Sequence, residues 1–553
     1  MVSRPPPLVL LGFLAFPGFL APSACTSPRP PNLVAVGRVW TGDSARPWAE
    51  AIATRGDAIT AVGDSAELLR LAGPETEVLR GAMVVPGFQD DHTHFFWGGF
   101  QLRSVDLKDA ATPAEFIRRI KEHAATRPDG EWLQGGTWDH ELWPGTPLPT
   151  RHWIDSVTPN HPVWLGRYDG HMSLANSLAL GHAGVDRSTA DVDGGQIVRG
   201  LGGEPTGVFR DAAQALVARA IPAPSPAQMD SALARALGHA ASLGVTGISL
   251  VSANWDEVAA FRRARQWGTL TVRTSIYIAM VDWRQAAESL RVNGPGDDWL
   301  RVAGVKGLVD GSLGSTTAWF YDPYLDAPST TGLMVTNLDS LRTWIGQADS
   351  AGLQVIVHAI GDRANDWLLG VFDSLARAHP GRERRYRIEH AQHLRAEDIP
   401  RFAALGVQAS MQPYHAIDDG RWAANRIGPR VRTTYAFRSL LDAGARLAFG
   451  SDWTVAPLDP IQGIYAAVTR RTLDGKHPDG WVPEEKISVE EALAAYTIAN
   501  AWGAYRDLTG RLLPGHRADL ALLDRDLATS PPEELGGAKV THTVVGGRVV
   551  YRR

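Results

Sequence analysis

The sequence predicts an α/β fold: a (β/α)8 TIM barrel, a small β-sandwich domain formed from both chain ends, and an inserted lobe after barrel strand 1. Three observations carry this expectation. Short apolar segments alternate with helical stretches through the middle of the chain, the pattern of parallel strands joined by helices. The two ends have a different texture, short strands separated by glycine turns. The connection between the first and second strand candidates runs to roughly 150 residues, far longer than an ordinary βα loop.

The strand candidates are Met83–Phe88, Val245–Val251, Val272–Ile278, Val302–Val309, Leu353–Val357, Tyr386–Ile388, Val407–Met411 and Ala445–Phe449, eight in all. Between most of them lie helical stretches: Pro226–Leu243 with Ser225 as its N-cap, Trp255–Gln266, Leu338–Ala351, Ala364–Ala378, Asp398–Leu405 and Ala436–Ala443. Within the long connection, Thr112-Pro113-Ala114-Glu115 reads as a capping box with proline at the first helical position, and residues 101–222 read as a lobe over the barrel mouth. Ser488 and Glu491 repeat that signature after the eighth strand, on a helix leading back toward the β domain. The expected division is a sandwich from residues 33–82 and 508–553 and a barrel over 83–507.

The chain has 553 residues with 55 Lys+Arg against 60 Asp+Glu, a net charge of -5 without the basic excess of a nucleic-acid binder. Its 1 Cys excludes a disulfide framework and any zinc site built on paired cysteines. That residue, Cys25, follows Arg4, an apolar run from Leu8 to Leu20, and the small residues Ser23 and Ala24. Residues 1–24 thus read as a signal peptide resembling a bacterial lipoprotein signal, with Cys25 as the lipidation site and 25–32 as a tether. Pro17 and Pro22 depart from the usual lipoprotein pattern, so a plain cleaved signal stays open. The expected location is the bacterial cell envelope, with membrane attachment only through an N-terminal lipid anchor.

The strongest chemical signal is Val84-Val85-Pro86-Gly87-Phe88-Gln89-Asp90-Asp91-His92-Thr93-His94. Residues two apart in a strand share a face, so His92 and His94 project together from the C-terminal end of the first strand, where a barrel keeps its active site. Alone, His-x-His is weak. His358 closes the fifth strand, His390 the sixth, and Asp452 follows the eighth, all at the catalytic end. His393 competes with His390 but lies beyond the strand. Lys306 interrupts the apolar fourth strand, and a buried ammonium without compensation tends to lose its proton. The neutral amine can add CO2, and the resulting carbamate has two oxygens able to bridge two metals. The other readings are a lysine snorkelling to the mouth or pairing with Asp310.

Taken in order, Val-Pro-Gly-Phe with His92 and His94, Val-Lys306-Gly-Leu-Val-Asp-Gly-Ser, Val-His358-Ala-Ile-Gly-Asp, Glu389-His390-Ala-Gln and Gly450-Ser451-Asp452 resemble the amidohydrolase superfamily. More narrowly, the chain is similar to the amidohydrolase 3 family, which includes N-substituted formamide deformylase. Gly135 to Asp139, Asp169-Gly170-His171, Gly311 to Thr317 and Leu513 to Leu520 fit it as well, so the likeness covers nearly everything after residue 32. The resemblance implies two divalent metal ions, most often Zn. His92 and His94 would hold one and His358 and His390 the other, with a CO2-derived carbamate on Lys306 as bridge and Asp452 touching metal and water. Asp452 would then move the proton from water to the leaving nitrogen.

The 19 Trp crowd these motifs. Trp97, Trp138, Trp319 and Trp453 are expected in the wall of a pocket for a small, apolar or aromatic substrate. His171, Asp139, Asp310 and Arg363 are further substrate-binding candidates. The expected activity is hydrolysis of a non-peptide carbon–nitrogen bond in an N-formyl or N-acyl amide, carbamate or cyclic amide. Ester or lactone hydrolysis, deamination, and a catalytically inactive binding or scaffold role are the alternatives. The oligomeric state is open, a homodimer being one expectation.

Overall fold

The computed structural model describes residue 2 and residues 29–145, 147–167, 172–192 and 195–553, with only the backbone of Glu141 and Asp211. The leader, Cys25 and His171 lie outside the described residues. At the centre is a parallel sheet of eight strands: β1 (Phe88–Thr93), β2 (Val245–Ala253), β3 (Arg273–Ala279), β4 (Leu300–Leu308), β5 (Gln354–Ala359), β6 (Arg387–His390), β7 (Gln408–Met411) and β8 (Arg446–Phe449). Each pairs with the next, and β8 returns to β1 through Asp452 N–H donating to His92 O at 2.8 Å and His94 N–H donating to Trp453 O at 2.7 Å. The (β/α)8 barrel is therefore closed by backbone groups at its catalytic end. Gly450 permits this approach, because a Cβ there would stand 2.7 Å from Asp91 Oδ1 and from the His92 nitrogen.

The first strand begins later than the apolar run Met83–Phe88 suggested. Glu77–Pro86 belongs to another sheet, where Met83 to Pro86 pair antiparallel with Leu520–Leu523. Pro86 ends that strand, since it lacks an N–H for a further ladder bond. Gly87 then lets the chain pass beside Thr246, whose atoms would lie 2.2 Å from a Cβ at that position. The second sheet has seven strands drawn from residues 33–86 and 520–552. Leu33, Ile52, Ile59, Leu79, Leu520 and Val544 meet in one core within it, giving the small sandwich built from both ends. Pro31 and Asn32, expected in the tether, are already docked on this sheet: Asn32 N–H donates to Thr54 O and Thr76 Oγ1 donates to Pro31 O.

Between β1 and β2 a six-stranded sheet spans Val105–Asp211, with its own core of Phe116, Trp138, Trp143, Val163 and Leu174. Its helix Pro113–Ala124 starts as expected, with Thr112 accepting from Glu115 N–H. The reciprocal half of the box is not made, because the Glu115 carboxylate turns to Arg118 and Arg119 at 2.7 Å. Ser225, Asn254 and Ser488 form complete capping boxes.

Candidate metal centre

Three donors converge at the mouth of β1 and β8. His92, His94 and Asp452 each present a ligand atom, all within 4.8 Å of one another. Asp452 Oδ1 is 3.3 Å from His94 Nε2 and 3.6 Å from His92 Nε2. From β4, Lys306 brings its Nζ to 3.4 Å from His92 Nε2. The His390 ring lies 4.8 Å from that of His92 and 4.5 Å from that of His358. The six expected ligands therefore lie close together at the barrel mouth, with His92, Lys306, His390 and Asp452 buried and His94 and His358 partly exposed.

Three of the four imidazoles, those of His92, His358 and His390, are turned by a hydrogen bond from behind, which leaves the other nitrogen for a cation. His92 Nδ1 is 2.5 Å from Glu389 Oε2, and His390 Nδ1 is 2.7 Å from Gln412 Oε1. His358 Nε2 is 3.1 Å from Gly311 O and 3.5 Å from Asp310 Oδ1. Burial, with repulsion from Lys306, pulls His92 down to about 4 and His358 to about 3, and burial also holds His390 well below its ordinary value. All three are neutral at pH 7, the form that binds metal. Burial pushes the Asp452 carboxyl up, but His92, the hydrogen bond from His94, His390 and His415 hold it well below the usual range, so it is ionised. Burial pulls Lys306 down to about 8 against the attraction of Glu389 and Asp452. A neutral amine is thus accessible near physiological pH. Three neutral imidazoles, one carboxylate and one readily deprotonated amine fit a cation centre.

Backbone geometry completes the cluster. Arg387 and Glu389, two apart on β6, share the lumen face and pair with each other at 2.8 Å. Regular alternation would send His390 the other way. Its φ of 72°, followed by 41° at Ala391, breaks the alternation, and Asp452 likewise sits at 56°. Left-handed backbone at non-glycine residues costs on the order of 1–3 kcal/mol each and is concentrated at functional sites.

The family profile described as amidohydrolase matches residues 76–551. The chain belongs to the amidohydrolase family. Among curated relatives, this amidohydrolase is 39% identical to Protein LONG AFTER FAR-RED 3 of Arabidopsis thaliana over 94% of this chain and 91% of that one. It is 32% identical to the putative amidohydrolase YtcJ of Bacillus subtilis (88% and 92% covered) and 30% identical to the N-substituted formamide deformylase of Arthrobacter pascens (93% and 97% covered). Among solved structures, an uncharacterized metal-dependent hydrolase from Pyrococcus furiosus superposes with a TM-score of 0.76 at 29% identity, covering 90% of this chain and 100% of its own. The protein is a metal-dependent hydrolase with a candidate His92, His94, Asp452 metal group.

The substrate-side candidates separate in this amidohydrolase. Trp97 stacks on His94 at 4.6 Å with an interplanar angle of 14° and is exposed on its other side. Trp453 is buried against His239 and Phe95. Trp138 does not reach the pocket: it is fully buried in the core of the lobe, with its indole N–H donated to Leu165 O at 2.8 Å. Trp319 is buried, with Arg363 over its ring at 4.5 Å. Asp310 turns inward, accepting from the amides of Trp319, Ile360 and Gly361 at 2.7 to 3.0 Å, so it shapes the loops after β4 and β5. Asp139 lies 3.3 Å from Arg167. His393 is held by Thr434 Oγ1 at 2.8 Å, outside the cluster.

Sequence reasoning missed Glu389, Arg387 and His415. The first two carried a signal, as charged residues alternating in a buried strand. His415 follows β7 on the helix Pro413–Asp419, whose start is marked in the sequence only by Pro413 at its first position. Its Nε2 is buried with no hydrogen-bond partner among the described residues, and it is one of the side chains that hold the Asp452 carboxyl down.

Proposed function

We propose that this amidohydrolase cleaves a carbon–nitrogen bond of an N-formyl or N-acyl amide, carbamate or cyclic amide with an apolar or aromatic substituent. The observation that carries the reading is the buried Lys306 amine beside His92, with the ionised Asp452 against the same two histidines. In the proposal Lys306 Nζ, once deprotonated, adds CO2 and releases a proton, and the carbamate joins His92, His94, His358, His390 and Asp452 in holding two divalent cations, Zn being expected. Such cations supply Lewis acidity to a water and to the substrate carbonyl. The Asp452 carboxylate takes the proton of the attacking water and returns it to the departing nitrogen. Trp97, stacked on His94, gives an aromatic substituent a flat surface to lie against. The similarity to an N-substituted formamide deformylase supports the formyl end of this range.

Deamination is disfavoured by the loop after β5, where the acidic residue is Asp362, whose Oδ1 accepts from Tyr321 N–H at 3.0 Å. Export to the cell envelope, with Cys25 as a lipid anchor, is part of the same proposal and rests on the leader sequence. Metal analysis of the mature protein and a turnover screen over N-formyl, N-acyl, carbamate and lactone substrates tests the reading. Two metal equivalents with turnover of the nitrogen-containing compounds are expected. Turnover of lactones alone, or purification without stoichiometric metal, overturns it.

A further inference from the structure

A cavity of about 580 Å³ opens at the seam between the inserted lobe and the barrel, and Trp97 forms part of its wall. That volume lies within the range of small-molecule pockets. Since Trp97 stacks on His94 at 4.6 Å, a single indole separates the cavity from a candidate ligand of the metal. Phe100, Trp132 and Ile221 add apolar wall.

The polar lining is one-sided. Arg103 and Arg235 face the cavity, Arg127 adds a third positive charge to the cluster, and Glu131 supplies a carboxylate, 2.8 Å from Arg103 Nη2. Three guanidiniums against one carboxylate leave two charges unbalanced, and His123 adds no further charge: burial, with Arg127 and Arg103 repelling it, holds it at about 4, uncharged at neutral pH. The arginines are held by neutral groups. Arg127 Nη2 donates to Arg103 O at 3.0 Å, and Arg235 donates from Nε to Gly99 O at 3.0 Å and from Nη1 to Ser231 Oγ at 2.8 Å. Arg127 Nε is buried with no partner among the described residues. Guanidiniums crowded together at a partly buried seam are unfavourable unless an anion joins them. Their planar forks match a carboxylate.

We propose that this cavity binds an organic carboxylate with an aryl or comparably apolar body, the carboxylate on Arg103 and Arg235 with Arg127 adding positive charge beside them, and the body against Trp97, Phe100 and Trp132. The carboxylate is either the far end of the enzyme's own substrate or a separate effector, and the two share the same recognition chemistry.

Calorimetric titration of the metal-loaded enzyme with 4-phenylbutyrate, and with the uncharged 4-phenylbutan-1-ol, tests this. The carboxylate is expected to bind saturably at one site, the alcohol at least about tenfold more weakly, and Arg127→Met and Arg235→Met each to weaken the carboxylate by about tenfold or more. Arg235 also holds Gly99 O and Arg127 also holds Arg103 O, so a thermal melt of each variant confirms that it is folded. Equal binding of acid and alcohol overturns the proposal, as does the absence of saturable binding. Carboxylate binding that survives both substitutions places it at the metal centre and overturns it too. Competitive inhibition by 4-phenylbutyrate identifies the substrate's own far end, and noncompetitive inhibition a separate effector; either supports the site. Turnover of a neutral N-formyl substrate by the same variants reports on the hydrolase reading independently.

Discussion

His92 Nδ1 lies 2.5 Å from Glu389 Oε2, while Glu389 Oε1 accepts from Arg387 Nε at 2.8 Å, so a metal-ligand candidate is oriented by a fully buried ion pair. Glu389→Gln weakens both. It leaves the Arg387 charge without its carboxylate in the barrel interior, at a cost of about 3–5 kcal/mol in a denaturation experiment. Metal affinity falls roughly 10- to 100-fold with loss of the orienting bond. A variant with native stability and native metal affinity would show that Glu389 does neither.

Asp452→Asn separates metal binding from proton transfer. The amide keeps an oxygen toward His92 and His94 but cannot take up a proton, so metal content stays near native while kcat drops by roughly 10²–10⁴. Full activity of the Asn variant would remove Asp452 from the reaction.

Loading the protein with metal in ¹³C-bicarbonate should produce a carbamate carbon resonance that Lys306→Met lacks, together with loss of one metal equivalent in that variant. Unchanged spectra and metal content in Lys306→Met would leave the lysine a neutral bystander.

His393 carries a prediction about acid stability. Burial, reinforced by Arg430, pulls its imidazole from 6.5 to about 3. Between those values the unfolded chain binds a proton that the folded chain refuses, so stability falls as pH drops through that window. His393→Asn, which removes the titrating ring, should lose less melting temperature than the native protein between pH 6.5 and 4. Parallel melting curves for the two proteins would contradict it.

Trp97→Ala removes the indole stacked on His94. KM for substrates with an aryl group should rise about two- to tenfold, the range of an aromatic pair beyond its area, with little change for substrates lacking one. An equal change for both classes would mean that the indole acts on the metal ligand.

Much of this site was legible because barrel strands end where chemistry begins. Lys306 interrupts an apolar strand, and His92, His358 and Asp452 stand at or beyond the C-terminal ends of theirs, positions that hydrophobic patterning can locate. His390 was legible in position but not in direction: strand periodicity sends it away from the face of Glu389, and only its left-handed backbone returns it. Trp138 failed for the opposite reason. A tryptophan in a loop-rich motif looks the same in sequence whether its indole faces a substrate or, as here, a lobe's own core with its N–H satisfied by Leu165. The boundary between sandwich and barrel was blurred because one apolar run serves two sheets, divided only by Pro86 and Gly87.

The peptide groups of His92, His94, Asp452 and Trp453 that close the barrel belong to the candidate metal ligands and one immediate neighbour. The same segments are joined when Ser451 N–H reaches Asp90, across a sequence separation of 361 residues. A growing chain therefore holds no complete ligand set until most of it has been synthesised and the eighth strand has docked on the first. A polypeptide truncated before β8, or misassembled around it, cannot present Asp452 beside His92 and His94.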